Sequence, residues 1–168
     1  MDIVLVGRIA ERAALETAQK NREKLSKIYP SSYLLNGISS LQVEFADNDT
    51  LMEALRQSAY MNVLSDESLA DALWRMGEEF GKGLRVNRDD IPVAQFAVEM
   101  AEIDGRDPVK SDSTGCVLYV TDNSGPVCEE LREKKVPCKV IGYLTDDNDR
   151  CLIGESVRSF LTRPPADG

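Results

Sequence analysis

The stretch at residues 62–76 reads NVLSDESLADALWRM and decides how the rest of the chain is interpreted. From Leu69 onward its apolar residues recur at the spacing of an amphipathic helix with one buried stripe. Ser65 has the hydroxyl expected of an N-cap, and Gly81 is suited to the end of the helix. The pattern predicts a helix over residues 66–80. Its predicted core stripe consists of Leu69, Leu73, Met76 and Phe80, with Ala70 and Trp74 beside it.

Short apolar runs and turn residues divide the rest of the chain. Strand patterns cover residues 2–7, 83–87, 116–120, 137–144, 150–153 and 157–161. Helical patterns cover residues 8–27, 49–58, 91–104 and 124–134. Residues 33–37 suit a loop or a single turn, residues 39–45 suit helix or strand, and residues 146–149 suit a hairpin turn. This mixture of helices and antiparallel hairpins predicts an α+β fold, with a mixed or antiparallel sheet covered by helices.

The central stretch resembles the start of the C-terminal domain in the AIR synthase superfamily. That superfamily includes aminoimidazole ribonucleotide synthetase, the hydrogenase expression/formation factor, selenophosphate synthetase and thiamine monophosphate kinase. The hydrogenase-formation-like branch commonly reads Met-His-Asp-Val-Ser-Glu-Gly-Gly here, before a helix with Ala-Leu-Trp-Glu-Met. Met61, Ser65 and residues 72–76 keep this frame. The polar signature differs at Asn62 (commonly His), Val63 (commonly Asp), and Glu67 and Ser68 (commonly Gly-Gly).

Further matches extend the resemblance over nearly the whole chain. Ile-Pro-Val at residues 91–93, Ser-Thr-Gly at 113–115, Val-Ile-Gly at 140–142 and Arg-Pro-Pro at 163–165 are similar to family patterns. The resemblance implies a single AIR synthase C-terminal-like domain over residues 1–168, with a flexible tail at 163–168. It also implies that the chain corresponds to one half of a family member and lacks the N-terminal ATP-binding half.

Composition narrows the function classes. The formal net charge of the 168 residues is −9, which disfavours binding to nucleic acid. The chain has no histidine, so the usual Ser-His and Cys-His dyads are excluded. We expect no metal or redox role for the four cysteines, because none is in a C-x-x-C pair. No apolar run is long enough to span a bilayer and no leader pattern is present, so we expect a cytoplasmic protein without a membrane partner.

The resemblance also indicates where a ligand site would be. Family members hold Mg-ATP mainly through the N-terminal half, so we expect no cofactor here, and ATP with Mg²⁺ only with a partner subunit. The glycine pair at the mouth of the central helix is replaced by acidic residues, which would repel a phosphate. The sequence predicts no catalytic residue and no metal ligand. The candidate ligand-binding residues are Asn62, Ser65, Ser113, Thr114 and Gly115, with helix capping and a tight loop before a strand as the alternative roles.

Three functions are compatible with these observations. The favoured one is a noncatalytic, stand-alone C-terminal-type domain that binds a small ligand or a protein partner. The second is one half of a split ATP-dependent enzyme related to the hydrogenase maturation factor, with a separate protein supplying the ATP-binding half. The third is a structural homo-oligomer, such as a homodimer that re-covers the exposed apolar surface.

Overall fold

The computed structural model describes residues 1–41, 53, 56, 58–154 and 158–165. Within these residues the strands are β1 (Asp2–Val6), β2 (Tyr60–Val63), β3 (Gly83–Asn87), β4 (Val117–Thr121), β5 (Cys138–Thr145), β6 (Arg150–Ile153) and β7 (Arg158–Phe160). The helices are α1 (Glu11–Lys20), α2 (Arg22–Ser26), α3 (Ser31–Ser40), α4 (Leu69–Phe80), α5 (Gln95–Ile103) and α6 (Ser124–Glu133). Short 3-10 turns occupy Arg88–Asp90 and Pro108–Lys110.

The strands form one sheet in the order β2-β4-β1-β5-β3-β6-β7. All pairings are antiparallel except that of β3 with β6, so the predicted α+β fold is confirmed. The prediction of a hairpin at residues 146–149 is wrong, because β3 lies between β5 and β6. Gly142 allows this arrangement, since a Cβ at that position would collide with the carbonyl oxygen of Arg85 on β3.

Alternation along the strands gives the sheet two buried faces. On the first face α4 packs through Leu69, Leu73 and Met76, which are fully buried, as its apolar spacing predicts. The second face carries α6, whose Cys128 and Leu131 pack onto β1, β4 and β5. A third apolar cluster lies among α1, α2, α3 and α5. Two α-helical layers and an intervening sheet are the framework that positions the loops.

The predicted starts of the central helix and of the helix over residues 91–104 are wrong. Ser68, not Ser65, caps the central helix by accepting a hydrogen bond from the Asp71 amide at 3.2 Å. The chain before it is not helical, because Asp66 has a left-handed φ of 52°. The helix predicted from residue 91 begins at Gln95, after an extended Ala94. The predicted end at Gly81 is confirmed by its left-handed φ of 61°.

The N-terminal helices also differ from the prediction. The long helix over 8–27 is divided at Asn21 into α1 and α2. Residues 33–37 belong to α3, and Gly37 in that helix lies directly against the Phe96 ring of α5. This tertiary contact stabilises a helix whose own sequence, rich in Ser, Asn and Gly, is a weak helix former. Most of the predicted helix at 49–58, part of the segment 39–45 and the end of the tail lie outside the described residues.

Candidate functional site

Two loops meet at the N-terminal end of α4, and we call them the loop pair: residues 64–68 and residues 111–116. Backbone hydrogen bonds join them, from the Leu64 amide to the Cys116 carbonyl at 2.9 Å and from the Gly115 amide back to Leu64 at 3.0 Å. The Ser113 amide donates to the Glu67 carbonyl at 2.9 Å. The loop pair brings the sequence-predicted candidates Ser65, Ser113, Thr114 and Gly115 together, with Asn62 on the adjoining strand β2.

Ser113 lies at the centre of the loop pair and is 1% exposed. Its hydroxyl donates to the Ser111 carbonyl at 3.1 Å and accepts from the Ala10 amide at 2.9 Å. Ala10 has a left-handed φ of 62° and precedes α1, so this hydrogen bond ties the start of α1 to the loop. The Ser113 hydroxyl is therefore both donor and acceptor within the protein.

Thr114 connects the two loops through its side chain. Its hydroxyl accepts from the Asp66 amide at 2.9 Å and donates to a carboxylate oxygen of Asp112 at 2.5 Å. The same oxygen accepts from the Thr114 amide at 2.9 Å. Gly115 follows with a φ of 97°, a conformation that favours glycine. These contacts are those of a tight loop that also holds the non-helical segment before α4.

The remaining candidates differ in their surroundings. Asn62 donates from its amide nitrogen to Oε1 of Glu67 at 3.0 Å. The other Glu67 oxygen accepts from Arg75 at 2.5 Å, so its carboxylate is paired on both sides. Ser65 lies exposed on the loop. An anion approaching this end of α4 would meet the Glu67 carboxylate and the acidic side chain of Asp71 in the first turn.

A second feature was missed by sequence reasoning: part of the second sheet face has no helix over it among the described residues. We call this part, formed by β3, the end of β5, β6 and β7, the open half. Three large apolar side chains are exposed there, Tyr143 at 53%, Ile153 at 39% and Phe160 at 60%. The sequence signal for this surface was the apolar alternation of these strands. Such alternation predicts the faces of a sheet but not which face a helix covers.

The open half contains a cleft of about 500 Å³. Tyr143 and Ile153 line it together with three carboxylates, Asp2, Asp89 and Asp90, and one cation, Arg85. Asp90 is paired with Nζ of Lys139 at 3.2 Å, so Asp2 and Asp89 are the acidic residues that a basic ligand would meet first. The Arg85 guanidinium donates to Oδ2 of Asp147 at 2.6 Å, which neutralises its charge. The Thr145 hydroxyl first, and then Arg85, hold the pKa of Asp147 below its ordinary value. The cleft combines apolar surface with carboxylates, which is suited to a basic and apolar ligand.

No group of three or more His, Cys, Asp or Glu side chains arranged to hold a metal ion occurs in the described part of the chain. All four cysteines are free and buried. Cys116 donates to the Arg8 carbonyl at 3.2 Å, and burial raises its thiol pKa to about 12. Over the described ranges, no helix has the length and apolar character needed to cross a bilayer.

Comparison with known proteins gives matches in structure but none to a family model or a curated sequence. No protein-family model matches the sequence, and a search of curated proteins finds no match. Among solved structures, E. coli HypE superposes with a TM-score of 0.75 at 20% identity, covering 99% of this chain and 51% of HypE. This chain has the AIR synthase C-terminal-domain-like fold. The predicted resemblance is thus confirmed at the level of fold.

Two further solved structures share this fold. A chain of a HypE-HypF complex matches with a TM-score of 0.68 at 17% identity, over 97% of this chain and 53% of that chain. Thiamine-monophosphate kinase from Stenotrophomonas maltophilia matches with a TM-score of 0.64 at 20% identity, over 92% of this chain and 49% of that one. The chain spans about half the length of the solved structures that it matches.

Proposed function

We propose that this chain is a noncatalytic AIR synthase-type domain that acts by binding a protein partner. The observation that carries this proposal is the internal hydrogen bonding of the loop pair. The hydroxyls of Ser113 and Thr114 each donate and accept within the protein, and the Glu67 carboxylate is held by Asn62 and Arg75. A ligand that used these groups would first have to break contacts that hold α1 and α4 in place.

Electrostatics support the same proposal. A helix N-terminus binds phosphate through free amides and its positive dipole end. At α4 the Ser68 hydroxyl accepts from the Asp71 amide, and the Asp71 and Glu67 carboxylates bring negative charge to this end. Mg-ATP carries several negative charges and needs carboxylates arranged around its cation. We therefore propose that the isolated chain does not bind Mg-ATP.

The open half is the proposed docking surface. It exposes Tyr143, Ile153 and Phe160 beside a cleft with three aspartates. A second copy of this chain is a weaker fit than a different protein. A two-fold interface places the same patch on both sides, so it would bring the two acidic clefts together, in a protein whose net charge is already −9. The partner that fits has an apolar and basic surface.

An ATP-hydrolysis assay on purified protein tests the noncatalytic assignment. We expect no turnover above the buffer rate with Mg²⁺ present, for the wild type and for Thr114→Ala alike. Turnover in the wild type that Thr114→Ala abolishes, while the conservative Thr114→Ser retains it, would contradict the proposal. Comparing Thr114→Ala with Thr114→Ser distinguishes the loss of the hydroxyl from a disruption of the loop structure.

A split enzyme is the second candidate, because the chain spans about half of HypE and of thiamine-monophosphate kinase. In that case a separate protein with the ATP-binding half would bind here and restore turnover. Co-expression with the protein encoded by a neighbouring gene distinguishes the two. Complex formation with ATP turnover favours the split enzyme, whereas a complex without turnover favours the noncatalytic domain.

A further inference from the structure

Two of the four cysteines lie in contact beneath α6, on the covered part of the second sheet face. Cys128 is in α6 and Cys138 is the first residue of β5, and their sulfur atoms are 3.0 Å apart. Both residues are buried, at 3% and 4% exposure, and both are free thiols. A disulfide has a sulfur-sulfur bond of about 2.05 Å, so an approach of about 1 Å would join them.

The turn between α6 and β5 creates this contact. Lys135 ends the helix with a left-handed φ of 63°, and the Val136 amide donates to the Leu131 carbonyl at 2.9 Å. The chain thus reverses within a few residues, and β5 begins directly under the helix that precedes it. Both cysteines lie in a buried cluster with the Tyr119 ring, whose hydroxyl is 3.8 Å from the Cys138 sulfur. The apolar members of this cluster are Val4, Val6, Val117, Leu131 and Val136. This packing keeps the two thiols facing each other.

Arg132 and the Tyr119 hydroxyl lie near both sulfur atoms and act to lower the pKa of both thiols. The contact between the two sulfur atoms lowers the pKa of Cys128, and the positive charge of Arg132 acts in the same direction against the effect of burial. The same contact, together with burial, raises the pKa of Cys138. Arg132 is fixed close by, since its Nε donates to the Cys138 carbonyl at 3.0 Å. We take Cys128 as the nucleophile of the pair, because the thiolate is the reactive form.

We propose that Cys128 and Cys138 form a redox modification site that hydrogen peroxide converts into an intramolecular disulfide. This inference goes beyond the proposed function and does not depend on it. It also departs from the expectation of no redox role for the cysteines, which was based on the absence of a C-x-x-C pair. The two residues are ten positions apart, and the short turn after α6 brings them together.

The reaction balances in two steps. The Cys128 thiolate attacks one oxygen of the peroxide and breaks the O–O bond, which gives a sulfenic acid on Cys128 and a hydroxide ion that takes up the proton lost by the thiol. The Cys138 sulfur then attacks the Cys128 sulfur, the S–O bond breaks, and the leaving hydroxyl departs as water with the Cys138 proton. Two thiols and one peroxide yield one disulfide and two waters, and two electrons pass from sulfur to oxygen.

The bond would fasten α6 to β5. A small oxidant can reach the pair by local opening of α6, which is a single surface helix with exposed acidic residues on its outer side.

Cys116 and Cys151 provide matched controls, because both are buried thiols that are hydrogen-bonded to other groups. Cys116 donates to the Arg8 carbonyl, and Cys151 accepts from Arg158 at 3.5 Å.

The test treats the folded, reduced chain with limiting hydrogen peroxide, then alkylates it in denaturant and measures the intact mass and a peptide map. We expect the wild type, Cys116→Ser and Cys151→Ser each to lose about 2 Da, the mass of two hydrogen atoms, and two alkylatable thiols. The map should link the peptides of Cys128 and Cys138, and dithiothreitol should reverse the change. Cys138→Ser should instead give a sulfenic acid on Cys128 that dimedone labels.

Two results would overturn the inference. One is a wild-type chain that keeps four alkylatable thiols at peroxide concentrations that oxidise free cysteine. The other is a disulfide that the map places on any other pair, or one that persists in Cys128→Ser. The wild-type map needs no variant, so the test remains decisive even where a substitution disturbs folding.

Discussion

The covered and open halves of the second sheet face differ in what lies above them. Under α6 the strand residues Val4, Val117 and Tyr119 are fully buried. On the open half Tyr143 of β5 and Ile153 of β6 belong to the same sheet face, yet both are exposed. The same alternation thus places apolar side chains in the core in one half and at the surface in the other. Stability and binding should respond to different substitutions.

The largest expected effect is a difference in the free energy of unfolding between a substitution in the buried core and one on the open half. Leu73→Ala removes a fully buried side chain of α4 and should lower the free energy of unfolding by about 2–5 kcal/mol. Ile153→Ala truncates a side chain that is 39% exposed and should cost less than about 1.5 kcal/mol. Urea unfolding of both variants measures the difference. Equal losses would mean that the open half is buried in the native protein.

A smaller effect tests how α4 is held on the first face. A Cβ at Gly77 would lie 2.6 Å from Nε of Arg150, whose guanidinium stacks 4.4 Å from the Trp74 ring and donates to Glu78 at 2.6 Å. Gly77→Ala should displace this arginine and cost about 1–3 kcal/mol, as overpacking does.

Gly125→Ala is the control for this substitution. Gly125 also lies in a helix, α6, but nothing lies within 4 Å of its would-be Cβ. Alanine there should leave stability unchanged or raise it slightly, because glycine is the weaker helix former. If Gly77→Ala were as stable as Gly125→Ala in the same urea titration, the contact between α4 and Arg150 would have no energetic role.

The smallest effect concerns acid stability at the side of the open half. The pKa of Asp147 is lowered in the folded protein, so its contribution is present above the ordinary aspartate pKa of about 3.9 and is lost as pH falls through the folded value. Asp147→Asn should flatten the loss of stability in acid that urea titrations at several pH values record. Asp146→Asn, at a side chain that is 98% exposed, should keep the wild-type profile.

Much of the fold could be predicted from sequence. The stripe Leu69, Leu73 and Met76 indicated α4, and Gly81 its end, because both depend on local spacing and backbone conformation. The strand order could not be derived in this way. Placing β3 between β5 and β6 depends on the close passage of Gly142, which is a contact between residues far apart in the chain.

The candidate site, like the fold, could be predicted only where it depends on local sequence. Loop chemistry at residues 113–115 was visible because Ser, Thr and Gly are typical of tight turns. That the Ser113 hydroxyl bonds to the Ala10 amide could not be predicted, since 103 positions separate them. The open half was missed, and so was the Cys128–Cys138 contact, although only ten positions separate the two cysteines. Each depends on which helix lies over which strands.

Calorimetric titration of the purified chain with Mg-ATP tests the central claim most directly. The account predicts no saturable heat and no thermal stabilisation by the nucleotide, because the loop pair is bonded internally and the mouth of α4 is acidic. Saturable binding that Thr114→Ala weakens and Thr114→Ser preserves would contradict it. That result would mean that the loop pair opens to bind nucleotide and that the domain has a ligand site of its own.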